Sequence, residues 1–276
     1  MGITRGTIKL IAMTVGQEQG GRNVITFGVQ GAQSSYPEAR ASIRESGLTP
    51  DLLADEEVIH DEITQFGKTI HQTTLFRLLG YKTVGSLDYY PDEHPTYVEN
   101  LNRPIPQKLQ RKYSLVYDGG MMEHCFNPPQ VMMNAVALVK AGGMVIHHVP
   151  MNNWVDHGFY QFFPTLFFDF YDANGFTDLE MKVHFMERHK ESFIRYNPRT
   201  DDPLPYFLGS KTRAMVFFKA RKSADFVDIK FPIQGRYREL FGHANNAETG
   251  KARRGIMGRL RRSLQKRTMK LMAATL

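Results

Sequence analysis

Short apolar runs alternate with longer amphipathic stretches along most of this chain. The runs predict strands at about 23–27, 81–87, 96–101, 113–117, 144–149, 191–196 and 213–221. The amphipathic stretches predict helices at about 37–79, 128–140 and 159–174, the first of them broken near 47–50. Such alternation predicts an α/β domain built on a mainly parallel sheet with helices on both faces.

The composition is that of a folded globular protein. The chain has 276 residues, of which 42% are hydrophobic and 23% are charged. A single cysteine excludes a disulfide framework and fits a cytoplasmic protein. We expect no membrane-spanning segment, because no apolar run approaches the roughly 20 residues that spanning requires. The apolar patch near the N-terminus is also too short for a signal peptide.

The formal net charge of +7 is concentrated near the C-terminus. Residues 251–276 contain nine lysines and arginines and no acid, whereas residues 1–250 carry a net charge of −2. Apolar residues recur there mainly at every fourth position, which predicts a basic amphipathic helix. That helix would suit an anionic membrane surface, with packing on the rest of the chain as the alternative. Nucleic acid is a disfavoured partner, since the tail lacks interleaved aromatics.

Candidate ligand-binding residues stand where the predicted strands end. Gly28 and Gly31 allow a tight turn and close approach of a ligand to the backbone, although an ordinary turn is equally expected. Their spacing fits neither a dinucleotide-binding G-x-G-x-x-G nor a P-loop. Asp88 could accept both hydroxyls of a ribose, and Asn102 could pair with an adenine edge or simply form a turn.

The most specific pattern covers residues 113–150. It reads strand, Asp118–Gly119–Gly120, Glu123–His124, Asn127–Pro128, helix, Lys140–Gly143 and strand. This stretch resembles the fourth-to-fifth-strand region of class I S-adenosylmethionine-dependent methyltransferases, within a wider resemblance over about 20–220. The resemblance implies a Rossmann-like, mostly parallel sheet with an antiparallel closing strand, and S-adenosylmethionine as cofactor. The residues it places at the cofactor are Gly28, Gln30, Gly31, Asp88, Asn102, Asp118, Gly119, Glu123 and His124.

The chain departs from the family pattern in its first half. Thr26 stands where the family usually has an acid that helps hold the methionine amino group, and Ala141 replaces a usual proline. The connection at about 36–80 is twice the usual length, which predicts a helical insertion over the cofactor or at a homo-oligomer contact. The family resemblance also implies that 191–196 and 213–221 form the antiparallel closing hairpin.

The polar segment after the 144–149 strand is the candidate acceptor site, since loops at that position face the substrate in the family. His148 or His157 could act as a base, because histidine titrates near neutral pH. Structural, hydrogen-bonded histidines are the alternative, and Cys125 is expected to be a packed core thiol. A metal site is an unfavoured alternative and would use His147, His148, Asp156 and His157, which match no metal signature. The predicted substrate-binding residues are Asn152, Asn153, Trp154, Asp156 and Tyr160.

Together these features predict a methyltransferase-like domain over 1–222 and a C-terminal extension over 223–276. The predicted function is S-adenosylmethionine-dependent methyl transfer to a small-molecule or glycan-type acceptor, with no bound metal. A noncatalytic binding or scaffold protein of the same fold is one alternative, and a metal-dependent hydrolase using the 147–157 histidines is another. The expected location is the cytoplasm, peripherally at the inner membrane surface if the basic helix binds lipid.

Overall fold

The computed structural model describes residues 2–16, 22–61, 67–187, 190–201, 212–225 and 228–235. Backbone contacts divide the chain into two units, Met1–Pro232 and Ile233–Leu276, and the sheet and its helices belong to the first. The predicted basic helix at 251–276 lies outside the described residues. Within the described part of the chain, no helix combines the length and apolar character that crossing a membrane requires.

The α-helices among the described residues are α1 (Arg5–Val15), α2 (Tyr36–Glu45), α3 (Gln72–Leu78), α4 (Pro128–Leu138) and α5 (Pro164–Ala173). The first strands along the chain are β1 (Arg22–Phe27), β2 (Gly31–Ala32), β3 (Ile70–His71), β4 (Tyr81–Asp88) and β5 (Tyr97–Val98). The later strands are β6 (Tyr113–Asp118), β7 (Val139–Asn152), β8 (Phe176–Glu187), β9 (Lys190–Arg195) and β10 (Arg213–Lys222).

Eight strands form one sheet in the order β5-β4-β1-β6-β7-β10-β8-β9. The pairs from β5 to β7 are parallel, and β10 runs antiparallel to both of its neighbours. The parallel half therefore has the doubly wound order in which the chain starts centrally and reverses between β1 and β6. This confirms the predicted α/β, Rossmann-like sheet that is mostly parallel with an antiparallel closing strand.

Helices cover both faces of the sheet, as predicted. Val24 and Leu115 pack in one core with α1, α2 and α3, whereas their chain neighbours Ile25 and Val116 pack in a second core with α4 and α5. Alternate side chains of a strand point to opposite faces, so these buried strands are apolar on both sides. The arrangement leaves the carboxyl ends of β1, β4 and β6 as the edge where a ligand can reach the sheet.

Local sequence explains where the helices begin. Ser35 and Glu38 form a capping box at the start of α2, and the Asn127 side chain accepts the Gln130 N–H at the start of α4. Proline occupies the first turn of both helices, where its missing N–H costs nothing.

Several predicted elements need correction. The expected hairpin between 191–196 and 213–221 is wrong, because β9 pairs with β8 and β10 lies between β7 and β8. The helical stretch at 37–79 does break near 47–50, but its second part is shorter than predicted: among the described residues, helix resumes only at α3, after a segment that contains β3. The aromatic helix begins at Pro164 rather than 159. Helix α1 and strand β8 were not predicted, because the apolar patch within α1 is short and β8 mixes apolar with charged residues.

Candidate functional site

A cavity of about 670 Å³ lies at the carboxyl ends of β1, β4 and β6. It sits beside the point where the strand order reverses, which is where ligands bind in open α/β sheets. Four residues predicted at the cofactor line it, namely Gln30, Asp88, Asn102 and His124. The remaining lining residues are Val29, Tyr89, Tyr90, Glu93, Glu99, Asn100, Leu101, Gly120, Met121 and Cys125.

Asp88 is held in place at the end of β4. Its two carboxylate oxygens accept the backbone N–H groups of Val29 and Tyr90, each at 3.2 Å. The residue is buried but contributes to the cavity wall. Each carboxylate oxygen can accept more than one hydrogen bond, so the group keeps acceptor capacity for a bound hydroxyl.

The turn after β1 approaches Asp88 closely. Gly28 has a φ of 78°, and a Cβ there would lie 2.8 Å from Met121 Cε and 3.7 Å from Asp88 Oδ2. Only glycine fits this combination of backbone angle and crowding without strain. Thr26 is fully buried and donates to the Gly28 carbonyl at 2.8 Å, so it offers the cavity no acid in place of the family carboxylate.

Gln30 and Gly31, the other two predicted cofactor residues near this turn, differ in their position relative to the cavity. The Gln30 N–H donates to Gln72 Oε1 at 2.9 Å, and its side chain lines the cavity. Gly31 instead opens β2, where it pairs with His71, and a Cβ on it would lie 2.7 Å from Asp61 Oδ2. Gly31 is not among the cavity-lining residues, and the expected ligand approach to its backbone at a helix start is not found, because α2 begins only at Tyr36.

Asn102 and its neighbours build the wall opposite the glycine turn. The Asn102 N–H donates to Asn100 Oδ1 at 2.9 Å, and Asn102 Oδ1 accepts the Asn127 N–H at 2.8 Å. Cys125 lies beside them and is buried, which raises the pKa of its thiol to about 12. A protonated thiol is a poor nucleophile, in line with the predicted packing role.

Asp118 and His147 belong to a buried hydrogen-bond chain rather than to the cavity lining. Asp118 Oδ2 accepts His147 Nδ1–H at 2.8 Å, and His147 Nε2 accepts the Tyr171 hydroxyl at 2.6 Å. Burial raises the pKa of Tyr171 well above its ordinary value, so the hydroxyl stays protonated and can donate. Asp118 Oδ1 also accepts the N–H groups of Met121 and Met122, which fixes the turn that carries Glu123. Asp118 therefore fixes the turn that contributes Gly120 and Met121 to the cavity, whereas Asp118 and Gly119 themselves do not line it.

His148 points away from the cavity, and the predicted role as a base must be corrected for it. Its Nε2 lies 3.1 Å from Nδ1 of His184, and the two rings stack with centroids 5.3 Å apart. Burial holds the pKa of His148 well below its ordinary value. His147 and His148 occupy opposite faces of β7, so the unfavoured alternative of a metal cluster that uses both of them does not form.

The structure brings Glu123, His124 and His157 together. Glu123 Oε1 lies 3.9 Å from His124 Nε2 and 3.7 Å from His157 Nε2. The Glu123 side chain is fully buried, and neither of its carboxylate oxygens has a hydrogen-bond partner. Burial, together with the nearby Asp118 carboxylate, raises the pKa of Glu123 to about 8. His124 lines the cavity, but Glu123 and His157 do not.

The start of the loop after β7 is held against β10. Asn152 ends β7 opposite Ala214, and the Asn153 amide donates to the Thr212 carbonyl at 2.7 Å. Trp154 Nε1 donates to the Ala214 carbonyl at 3.1 Å, and the Trp154 ring contacts the His157 ring.

Asp156 and Tyr160, the remaining two residues of the predicted acceptor site, are more exposed than Trp154. Asp156 is exposed and has a φ of 60°. The Tyr160 hydroxyl donates to the Phe126 carbonyl at 3.0 Å. The side chains of Phe126 and Phe159 form an exposed aromatic pair beside it, with ring centroids 5.8 Å apart.

Some cavity residues carry no sequence signal of their own. Tyr89, Tyr90, Glu93 and Glu99 come within a dozen residues of the predicted strand end at Asp88, and that proximity was the only clue to them. Glu123 and His157 are 34 residues apart, and a docked loop rather than a motif makes them neighbours.

Comparisons with known proteins give matches at the level of three-dimensional structure only. The sequence matches no protein-family model and no curated protein. Structures that align with it include a SAM-dependent methyltransferase from Thermotoga maritima (12% identity, 78% of this chain and 87% of the other, TM-score 0.36). Another is a SAM-dependent methyltransferase from Archaeoglobus fulgidus (12% identity, 78% and 94%, TM-score 0.39). A third is a phosphoethanolamine N-methyltransferase from Haemonchus contortus with S-adenosylhomocysteine bound (12% identity, 79% and 53%, TM-score 0.40). Similarities this low do not assign a function, which has to come from the chain's own residues.

Proposed function

We propose that this chain binds S-adenosylmethionine in the strand-end cavity and transfers its methyl group to a small-molecule or glycan-type acceptor. The observation that carries the proposal is the charge of the cavity. Asp88, Glu93 and Glu99 line it, and none of the described lining residues is lysine or arginine. Carboxylates repel the phosphates of NAD or ATP and attract a ligand that carries a sulfonium and an ammonium group.

The lining residues suit the parts of such a nucleoside. Asp88 supplies carboxylate oxygens for ribose hydroxyls, and Asn102 and Asn100 supply amide groups for a base edge. Gly28 lets the backbone of the β1 turn come close without a side chain in the way. S-adenosylmethionine would supply an electrophilic methyl group for direct displacement by the acceptor. The protein's part is then mainly to position the two partners and exclude water.

The acceptor is proposed to lie beside His124, at the border between the cavity and the loop after β7. Phe126 and Phe159 offer exposed aromatic faces there, with 73% and 65% of the residue surface accessible. Tyr160 and Trp154 hold the loop in place on either side of His157. Aromatic faces of this kind bind small apolar molecules and the apolar faces of sugars.

A binding protein without catalysis is the second candidate, and Thr26 is the observation that favours it. Thr26 stands at the position where the methyltransferase family has an acid that holds the methionine amino group. Its hydroxyl already donates to the Gly28 carbonyl and therefore does not replace that acid. The two candidates share a cofactor site and differ in turnover. Purified protein incubated with methyl-labelled S-adenosylmethionine and a panel of small-molecule and glycan acceptors separates them by transfer of the label.

Residues 251–276 also support a proposal about where in the cell the protein acts. We propose a cytoplasmic protein that associates peripherally with the inner membrane surface through residues 251–276, since that segment contains nine cations and no acid, whereas residues 1–250 carry a net charge of −2. The domain limits at 1–222 and 223–276, and a homo-oligomer built on the insertion at 36–80, remain predictions from the sequence.

Ligand selectivity tests the cofactor assignment. Equilibrium dialysis of the full chain against labelled ligands is expected to show binding of S-adenosylmethionine and S-adenosylhomocysteine, and no binding of ATP or NAD. Binding of ATP or NAD in preference to both nucleosides would overturn the proposal, because it would mean that the carboxylates do not set the selectivity.

A further inference from the structure

We infer that Glu123, His124 and His157 form a binding site for a single divalent metal ion of the transition series. One carboxylate oxygen and two imidazole nitrogens face one another there, and all three ligand atoms lie within 4.8 Å of one another. Atoms bound to one ion at about 2.1 Å are at most about 4.2 Å apart, so the cluster needs only a small closure. The His124 side chain is 40% exposed, which leaves room for that movement.

The state of Glu123 is the independent observation that points to a missing partner. Its side chain is fully buried, yet both carboxylate oxygens lack a hydrogen bond, and His157 Nε2 is likewise buried and unpartnered. Buried polar groups without a partner are uncommon and destabilise a fold unless something binds them. A cation between these atoms would satisfy all of them together.

A backbone hydrogen bond fixes the position of His157 relative to Glu123. The Phe159 N–H donates to the Glu123 carbonyl at 2.8 Å, which docks the loop after β7 onto the turn that carries Glu123. Gly158 makes this contact feasible, since a Cβ there would lie 2.8 Å from the same carbonyl oxygen. His157 is thereby fixed over the Glu123 carboxylate.

The ligand set indicates which metal would bind. Two imidazoles and one carboxylate suit zinc, iron, cobalt or manganese better than magnesium or calcium, which prefer oxygen ligands. Three protein ligands leave at least one coordination position open for water or for an oxygen atom of another molecule. An ion on His157 Nε2 would occupy the lone pair that a base needs, so this role replaces the predicted one of His157 as a base.

Cobalt titration of the full chain tests the site. Untagged protein, stripped with a chelator and desalted, is titrated with Co²⁺ and followed by visible absorption, with Zn²⁺ displacement afterwards. We expect one equivalent of Co²⁺ with ligand-field bands that Zn²⁺ removes. Glu123→Gln and His157→Gln should each weaken binding at least about tenfold, the loss that even outer-sphere changes can cause. His94→Asn removes an exposed histidine outside the cluster and should change nothing.

Thermal melting separates loss of the site from loss of the fold. In chelator, Glu123→Gln is expected to melt no lower than the wild type, because the amide keeps the shape of the side chain and places no ionisable group in the buried site. Added Zn²⁺ should raise the melting temperature of the wild type and not that of the variant. Binding of S-adenosylmethionine should survive in His157→Gln, because His157 does not line the cavity, so failure of the metal site and failure of the cofactor site are distinguishable. No Co²⁺ binding by the wild type, or equal binding by all variants, would overturn the inference.

Discussion

The Asp88 carboxylate accepts the N–H of Val29 at 3.2 Å and so ties the end of β4 to the turn after β1. The two residues are 59 positions apart in the chain, and parallel pairing of β1 with β4 brings them together. A carboxylate fixed in this way is already oriented before any ligand arrives. Preorganised groups lose less entropy on binding, which favours Asp88 as the anchor of the cavity.

The turn at Gly28 should be sensitive to any side chain. Gly28→Ala is expected to lower stability by about 1–2 kcal/mol, the cost of a left-handed backbone for a residue with a Cβ, and also to weaken S-adenosylmethionine binding. Gly47→Ala is the matched control, because Gly47 has a φ of 82° but no atom within 4 Å of its Cβ position. Calorimetry and denaturant melts should show a stability loss in both variants and an affinity loss only at Gly28. Equal affinity in the two variants would contradict a ligand beside Gly28.

The chain of hydrogen bonds through His147 should contribute measurably to stability. Tyr171→Phe leaves His147 Nε2 buried without a donor and is expected to cost about 1–3 kcal/mol. Tyr117→Phe is the contrast, since the Tyr117 hydroxyl is buried and has no partner, and its removal should be neutral or stabilising. Urea melts of both variants measure the difference. A similar loss in both would mean that ring packing, rather than the hydrogen bond, is what matters at Tyr171.

The sequence alone predicts several strands and the position of Asp88, but not how all the strands pair. Strands β1, β4, β6 and β7 were predicted because each contains an apolar run, and Asp88 could be placed because it ends one of them. Pairing could not be predicted in the same way. β10 lies between β7 and β8 because of long-range contacts that no local pattern encodes, and the same holds for His157 beside Glu123.

Stability should fall in mild acid because of His148. Burial lowers the pKa of His148 below the ordinary 6.5, so between that value and the folded pKa the unfolded chain binds a proton that the folded chain excludes. The unfolded state is therefore favoured as pH falls, by at most about 1.4 kcal/mol per pH unit from this group. The His184 ring lies against His148, and Glu191 Oε2 lies 3.3 Å from His184 Nε2.

The dependence is checked by urea melts between pH 7.5 and 5. The free energy of unfolding of the wild type should decrease as pH falls, and His148→Gln should show a shallower decrease. His94→Asn, an exposed histidine, should follow the wild type. Parallel curves for the wild type and His148→Gln would show that burial does not shift this histidine as described.

The basic segment at 251–276 gives a prediction that concerns the membrane. Full-length protein should sediment with vesicles that contain anionic lipid, and a 1–250 truncation should stay in the supernatant. Binding should weaken with salt, because exposed charges are screened within about 8–10 Å at physiological ionic strength. Neutral vesicles are the control. If full-length protein ignores anionic vesicles, the membrane proposal is wrong, and if the truncation unfolds, the segment is part of the fold.

The most direct test of the central claim is calorimetry of S-adenosylmethionine binding to the wild type, Asp88→Asn and Asp92→Asn. Asp92 is an exposed carboxylate four residues away that does not line the cavity, so it controls for the general loss of a charge. We predict that Asp88→Asn weakens binding by about 1.5–3 kcal/mol, the contribution of hydrogen bonds to a charged group, and that Asp92→Asn binds like the wild type. Unchanged affinity in a folded Asp88→Asn variant would contradict the assignment of this cavity to S-adenosylmethionine.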